Sequence, residues 1–272
     1  PARGKAGPPG PAGSVSSRPH VADLPIDLPA DVAGRLARAL DVEGKIPRAL
    51  EALGPIGGRE VLLVDVPEGL MSRRLLELGA RLRHAPGASP LSLPLSDTSV
   101  DVVLGFWSAF RGVDPADLVE VDRVLRPDGR LLVVHHYGRD DVCQLRDPGL
   151  AEYQSWSRRG GPFLGGGFRI RVVHCFWTFE DLDDQRSFLV DAFGERGAAL
   201  AEGARRPRLS WNVAIYHRSR GTAPEGGDGR RREGAETPAG DGHDGSAPGG
   251  DGHRPGTLVP PTAAGRSAGV AR

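Results

Sequence analysis

The chain has 272 residues, with 39% hydrophobic residues, 39 Gly and 24 Pro, which suits one domain of ordinary size with tails. Its 35 basic and 35 acidic residues cancel, so charge gives no footprint for nucleic acid or an anionic membrane. No apolar run approaches the ~18 residues of a membrane span, and no charged-then-apolar signal pattern opens the sequence, so a cytoplasmic setting is expected.

Residues 1–30 are rich in Pro, Gly and Ser and read as a disordered arm. Asp31 is placed to cap a first helix, with Val32, Leu36 and Leu40 on one face. A second helix covers Pro47 to Leu53 and ends at Gly57-Gly58. Val61 to Val64 is a continuous apolar run, as expected of a parallel strand buried on both faces. A helix from Leu70 to Leu78 and a short strand from Arg81 to His84 follow. Val100 to Phe106 is the next strand, and Asp114-Pro115 starts a helix that runs to about Leu125. Pro127-Asp128-Gly129 reads as a turn before a strand from Leu131 to Val134.

Residues 150–167 carry little periodicity. Phe168 to Phe176 alternates as a strand, Leu182 to Leu200 is helical, and Leu209 to Tyr216 is a last strand. The short link before that strand suits an antiparallel addition. Strands that alternate with helices predict a Rossmann-like, doubly wound, mostly parallel α/β sheet over 31–217. Residues 218–272 read as a second disordered tail, in which Gly-Asp-Gly-His occurs twice, with His243 and His253 as weak metal candidates. Cys143 and Cys175 have no metal-type spacing and read as free structural thiols.

Two blocks carry a resemblance. Leu93-Pro94-Leu95-Ser96-Asp97-Thr98-Ser99-Val100-Asp101-Val102-Val103 resembles a block of small-molecule class I S-adenosylmethionine-dependent methyltransferases. Glu120-Val121-Asp122-Arg123-Val124-Leu125-Arg126-Pro127-Asp128-Gly129 is similar to that family's segment leading into its fifth strand. The resemblance covers about residues 46–217. It implies the family's fold, S-adenosyl-L-methionine as cofactor, and a crevice at the carboxyl ends of the strands.

The resemblance also assigns cofactor positions. The family's glycine-rich turn corresponds to Asp65-Val66-Pro67-Glu68-Gly69-Leu70-Met71, so Asp65, Val66 and Gly69 become cofactor candidates, with Ser89, Leu93 and Phe106 across the crevice. The sequence departs from the pattern at each contact. Pro67 and Met71 replace glycines, Glu68 brings a repelling carboxylate, and Pro86 stands where an acid should hold the ribose. No acid lies between Glu77 and Asp97, and Ser89 replaces an adenine-binding Asp. Pro86 and Ser89 are nearly adjacent where a helix and a strand are expected. A sheet one strand short of the usual seven follows.

His135, His136 and Tyr137 follow the strand at the ligand end. They read either as a general base or as ordinary strand-end side chains. Asp65 and Gly69 likewise read either as a partial cofactor site or as a plain capped turn. Phe106, Trp107 and Phe110 line a pocket or pack the core, and Trp156, Arg158, Arg159 and Phe163 form a lid, a partner patch or a solvated loop. Three functions remain open: methyl transfer to a small molecule, a non-catalytic module that binds a small molecule or protein partner, and a different dinucleotide binder. Fold alone does not choose among them.

Overall fold

The computed structural model describes residues 23–66 and 68–222. The expectations placed on Pro67, on the arm before residue 23, and on the tail from residue 223 with His243 and His253, lie outside the described residues.

The strands are β1 (Glu60–Val64), β2 (Arg81–Ala85), β3 (Val100–Phe106), β4 (Leu125–His136), β5 (Arg169–Thr178) and β6 (Arg208–Ser219). They form one six-stranded sheet in the order β2-β1-β3-β4-β6-β5. Only β6 runs against its neighbours: it pairs antiparallel with both β4 and β5, while β1 to β4 pair in parallel. The mostly parallel sheet, its antiparallel last strand and its six strands among the described residues agree with the sequence.

Side chains alternate across the sheet, so each strand feeds two cores. Val61, Leu63, Leu104 and Val134 face α1 (Ala30–Ala39), α2 (Lys45–Leu53), α3 (Leu70–Glu77) and α8 (Leu182–Glu202). Leu62, Val64, Val103 and Leu131 face α4 (Pro115–Val124) and the region of α6 (Ala151–Gln154) and α7 (Pro162–Gly165). A further single turn, α5 (Asp141–Gln144), follows β4.

Four local expectations need correction. Asp31 lies inside the first turn of α1, and Pro29 holds the cap position without a side-chain bond. Pro127-Asp128-Gly129 is not a turn between elements. It bulges within β4, where the pairing with β3 jumps from Val100–Leu125 to Val102–Arg130. The long helix α8 breaks at Gly194, whose φ of 58° and ψ of −130° are open to glycine and hostile to other residues. The arm also ends earlier than residue 30, because Leu24 and Leu28 are already buried.

The connection from β2 to β3 carries no helix and is held by a side-chain clasp. Residues 86–99 contain no helix or strand and lie along α4. Asp117 accepts the Leu91 amide at 2.7 Å, and Glu120 accepts the Leu93 amide at 2.7 Å. Arg123 donates to the carbonyls of Leu93 and Leu95, at 3.0 and 2.8 Å, and to Asp97 at 2.7 Å. The Arg123 guanidinium and the Leu93 amide hold the Glu120 carboxyl down at about 2. At the sheet edge, Arg81 and Arg83 both bond Glu60, which keeps β2 charged and unattractive to another strand.

Arg123→Ala is expected to release the 91–97 segment and lower stability by about 2 kcal/mol, since charged hydrogen bonds contribute ~1.5–3 kcal/mol. Urea unfolding measures the loss, and hydrogen exchange should show it concentrated at the Leu93 amide and its neighbours.

Candidate functional site

Ligands of doubly wound sheets bind at the carboxyl ends of the parallel strands. Here that rim is covered by the chain itself. Residues 23–28 run across it as a strap. Asp23 is 1% exposed, and its carboxylate accepts the Met71 amide at 2.9 Å in the first turn of α3. A Cβ at Gly69 would overlap this carboxylate, so glycine is needed for Asp23 to seat, whatever its ancestral use. Burial pushes the Asp23 carboxyl above its usual range and outweighs the Met71 and Leu70 amides and the charges of Arg73 and Arg74.

The strap continues over the aromatic floor. The Trp107 indole donates to the Asp23 carbonyl at 3.2 Å. Trp107 has a φ of 57°, a strained value for an aromatic residue. Its ring lies 5.5 Å from both His136 and Trp211. Trp211 can only donate through its indole, so its 3.1 Å bond makes His136 Nδ1 the acceptor. The ring proton therefore sits on Nε2, which donates to the Pro25 carbonyl at 2.9 Å. Both nitrogens of His136 are committed to structure, and burial drives its pKa well below the ordinary histidine value.

The predicted cofactor residues are spread over the rim, the core and the face of α4. Asp65 lies at the end of β1 with a φ of 54°, and its carbonyl accepts the Ser108 hydroxyl at 2.9 Å. Gly87 packs so closely on Asp65 that a Cβ there would collide with the Asp65 side chain. Val66 is buried, and its carbonyl meets the His84 ring at 2.8 Å. Ser89 bonds the Asp117 carboxylate at 3.3 Å. Leu93 is buried against α4, and Phe106 is 0% exposed in the core on the strap side. Two open clefts flank the rim. One, of about 720 Å³, is lined by Gly87, Ser89, Ser108 and Asp117; the other, of about 550 Å³, by Gly69, Arg73 and His84.

The catalytic candidates also divide. His135 is buried against Trp156 and Phe163, with ring centroids at 4.6 and 6.0 Å. Its Nε2 has no hydrogen-bond partner, and burial lowers its pKa to about 3, so it is a neutral core residue. Tyr137 is half-buried, with the Arg139 guanidinium 5.8 Å from its ring. Phe106, Trp107 and Trp156 thus serve as packing. Cys175 is a buried free thiol whose pKa is pushed up by burial, as a structural cysteine should be.

Asp23 and its strap escaped the sequence reading. Leu24, Ile26 and Leu28 alternate in that segment, which is the one signal that it packs as an extended chain. Taken together, Asp23 takes the Met71 amide beside Gly69 and Ser89 is bonded to Asp117 of α4, so these residues do not offer the contacts that the sequence resemblance implies for S-adenosylmethionine.

No protein-family model and no curated protein matches the sequence. Solved structures similar to the chain include a SAM-dependent methyltransferase from Aquifex aeolicus, at 17% identity, covering 69% of this chain and 97% of that one, with a TM-score of 0.40. Another is a proposed type II methyltransferase from Anaeromyxobacter dehalogenans, at 18% identity, covering 64% of this chain and 94% of that one, with a TM-score of 0.43.

The two buried imidazoles make stability depend on pH. Each is neutral when folded and protonates near 6.5 once unfolded. Their contribution is full above that value and is lost as pH falls below it, at up to about 1.4 kcal/mol per pH unit per ring. Asp23 acts in the opposite sense, because a carboxyl raised on folding contributes less as pH rises. His135→Leu should flatten the acid slope by up to one proton; urea midpoints across the acid range measure it, and an unchanged slope would count against a neutral buried ring.

Proposed function

We propose that the chain is a methyltransferase-type domain that works as a non-catalytic binding module, with its cofactor crevice sealed by its own strap. The observation that carries this reading is the Asp23 carboxylate on the Met71 amide, directly over Gly69. A carboxylate at a helix N-terminus uses the donors that an anionic ligand would need there. The two sequence blocks that resemble the methyltransferases support the reading too. Asp97, Glu120 and Arg123 work in them as the clasp on the 86–99 segment, which explains their presence without catalysis.

The competing reading is methyl transfer from S-adenosylmethionine to a small molecule after the strap leaves. It is favoured by one observation: the strap is anchored through a carboxylate that burial penalises. Calorimetric titration with S-adenosylhomocysteine separates the two. Wild type and Asp23→Ala are both expected to give no heat and no thermal shift at millimolar ligand. Binding by wild type overturns the module reading, and binding by Asp23→Ala alone establishes the gated enzyme. Asp23→Asn keeps an acceptor without the buried charge, so it should unfold at a higher temperature than wild type, whereas Asp23→Ala should lose about 1 kcal/mol with its cap.

A further inference from the structure

A third cavity lies away from the strap, where the end of β5, the start of β6, α5 and the second half of α8 meet. It measures about 690 Å³, within the usual range of small-molecule sites of ~300–1,000 Å³. The break at Gly194 creates it. Beyond that residue α8 turns back on itself, so tightly that a Cβ at Gly197 would collide with the Leu189 carbonyl. The returning segment carries Arg196, Ala199 and Leu200 along the cavity.

Two features of the lining ask for a ligand. The first is Gln185, which is 1% exposed and has neither Oε1 nor Nε2 hydrogen-bonded. Buried amides are nearly always paired, and an unpaired one costs about 1–3 kcal/mol. The second is charge. Arg196, Arg205, Arg206 and Arg208 line the same cavity, all exposed, and none has a carboxylate within ion-pair distance among the described residues. Arg208 lies over the Phe176 ring at 4.4 Å. The cavity's one acidic lining residue, Asp141, already accepts the Ser210 amide and hydroxyl at 2.8 and 2.7 Å. Ala199, Leu200 and Leu209 supply the apolar walls.

We propose that this cavity binds a small phosphorylated ligand of nucleotide type. Its phosphates pair with the arginines, and a planar donor–acceptor edge pairs with the Gln185 amide. Guanidinium forks match phosphate oxygens. A glutamine amide offers one donor and one acceptor side by side, the complement of an adenine edge. The site does not depend on how the strap-covered crevice works, and S-adenosylhomocysteine, which lacks phosphate, does not report on it.

The test uses the full chain with adenosine diphosphate and inorganic pyrophosphate as probes, read by calorimetry and thermal shift. Adenosine diphosphate should bind wild type below millimolar concentration and more tightly than pyrophosphate. The double variant Arg205→Ala/Arg206→Ala should weaken both probes by roughly tenfold or more. Gln185→Leu should weaken adenosine diphosphate by roughly tenfold, leave pyrophosphate unchanged, and melt no lower than wild type without ligand, since it removes two unpaired polar atoms. Failure of adenosine diphosphate to bind at millimolar concentration overturns the site. Equal affinity for the two probes, or equal affinity in wild type and Gln185→Leu, overturns the role of the amide.

Discussion

A buried carboxylate over the first turn of α3 decides what the carboxyl rim of this sheet can hold. Asp23 reaches the Met71 amide only because Gly69 has no side chain beneath it. Once Asp23 is seated, its carbonyl takes the Trp107 indole and the next residues bring the Pro25 carbonyl to His136. Trp211 then fixes the His136 tautomer from the other side. Each bond satisfies a polar group that burial would otherwise leave unpaired, so the members of the network support one another. A ligand entering here would have to replace every one of these partners at once.

The same logic governs the edge of the sheet. The segment between β2 and β3 contains no strand, so no ladder serves its backbone groups. Asp117, Glu120 and Arg123 serve them instead, from one face of α4. The clasp fixes Leu93 in the core and holds Ser89 against Asp117.

The fold was legible where burial is written as an uninterrupted apolar run. Val61–Val64 and Val100–Phe106 can be little other than strands buried on both faces. The antiparallel last strand was legible from its short connection. The site was legible only in part. The erosion of the glycine turn could be read from residue types, but the occupant could not, because Pro25 and Pro29 make the strap look like linker. His135 and His136 looked like chemistry because they end a strand at the rim. Their burial depends on Trp156, Phe163, Trp211 and Pro25, which come from distant parts of the chain. Gln185 was silent for the same reason: one polar residue in a helix gives no hint that its amide will be enclosed without a partner.

The two ends of the rim differ in a way that fold resemblance does not anticipate. Over β1, β3 and β4 the strap closes the surface with its own hydrogen bonds, and the strained φ of Trp107 is held there by packing from several sides. Beside β5 and β6 the chain does the opposite: around one cavity it holds four exposed arginines and a buried amide that, among the described residues, have no ion-pair or hydrogen-bond partners there. A buried amide left unpaired lowers stability, and marginal stability leaves little room for it. Such groups persist most readily where a ligand completes them. The far side of the same sheet therefore offers a place for function that the resemblance at the glycine turn does not point to.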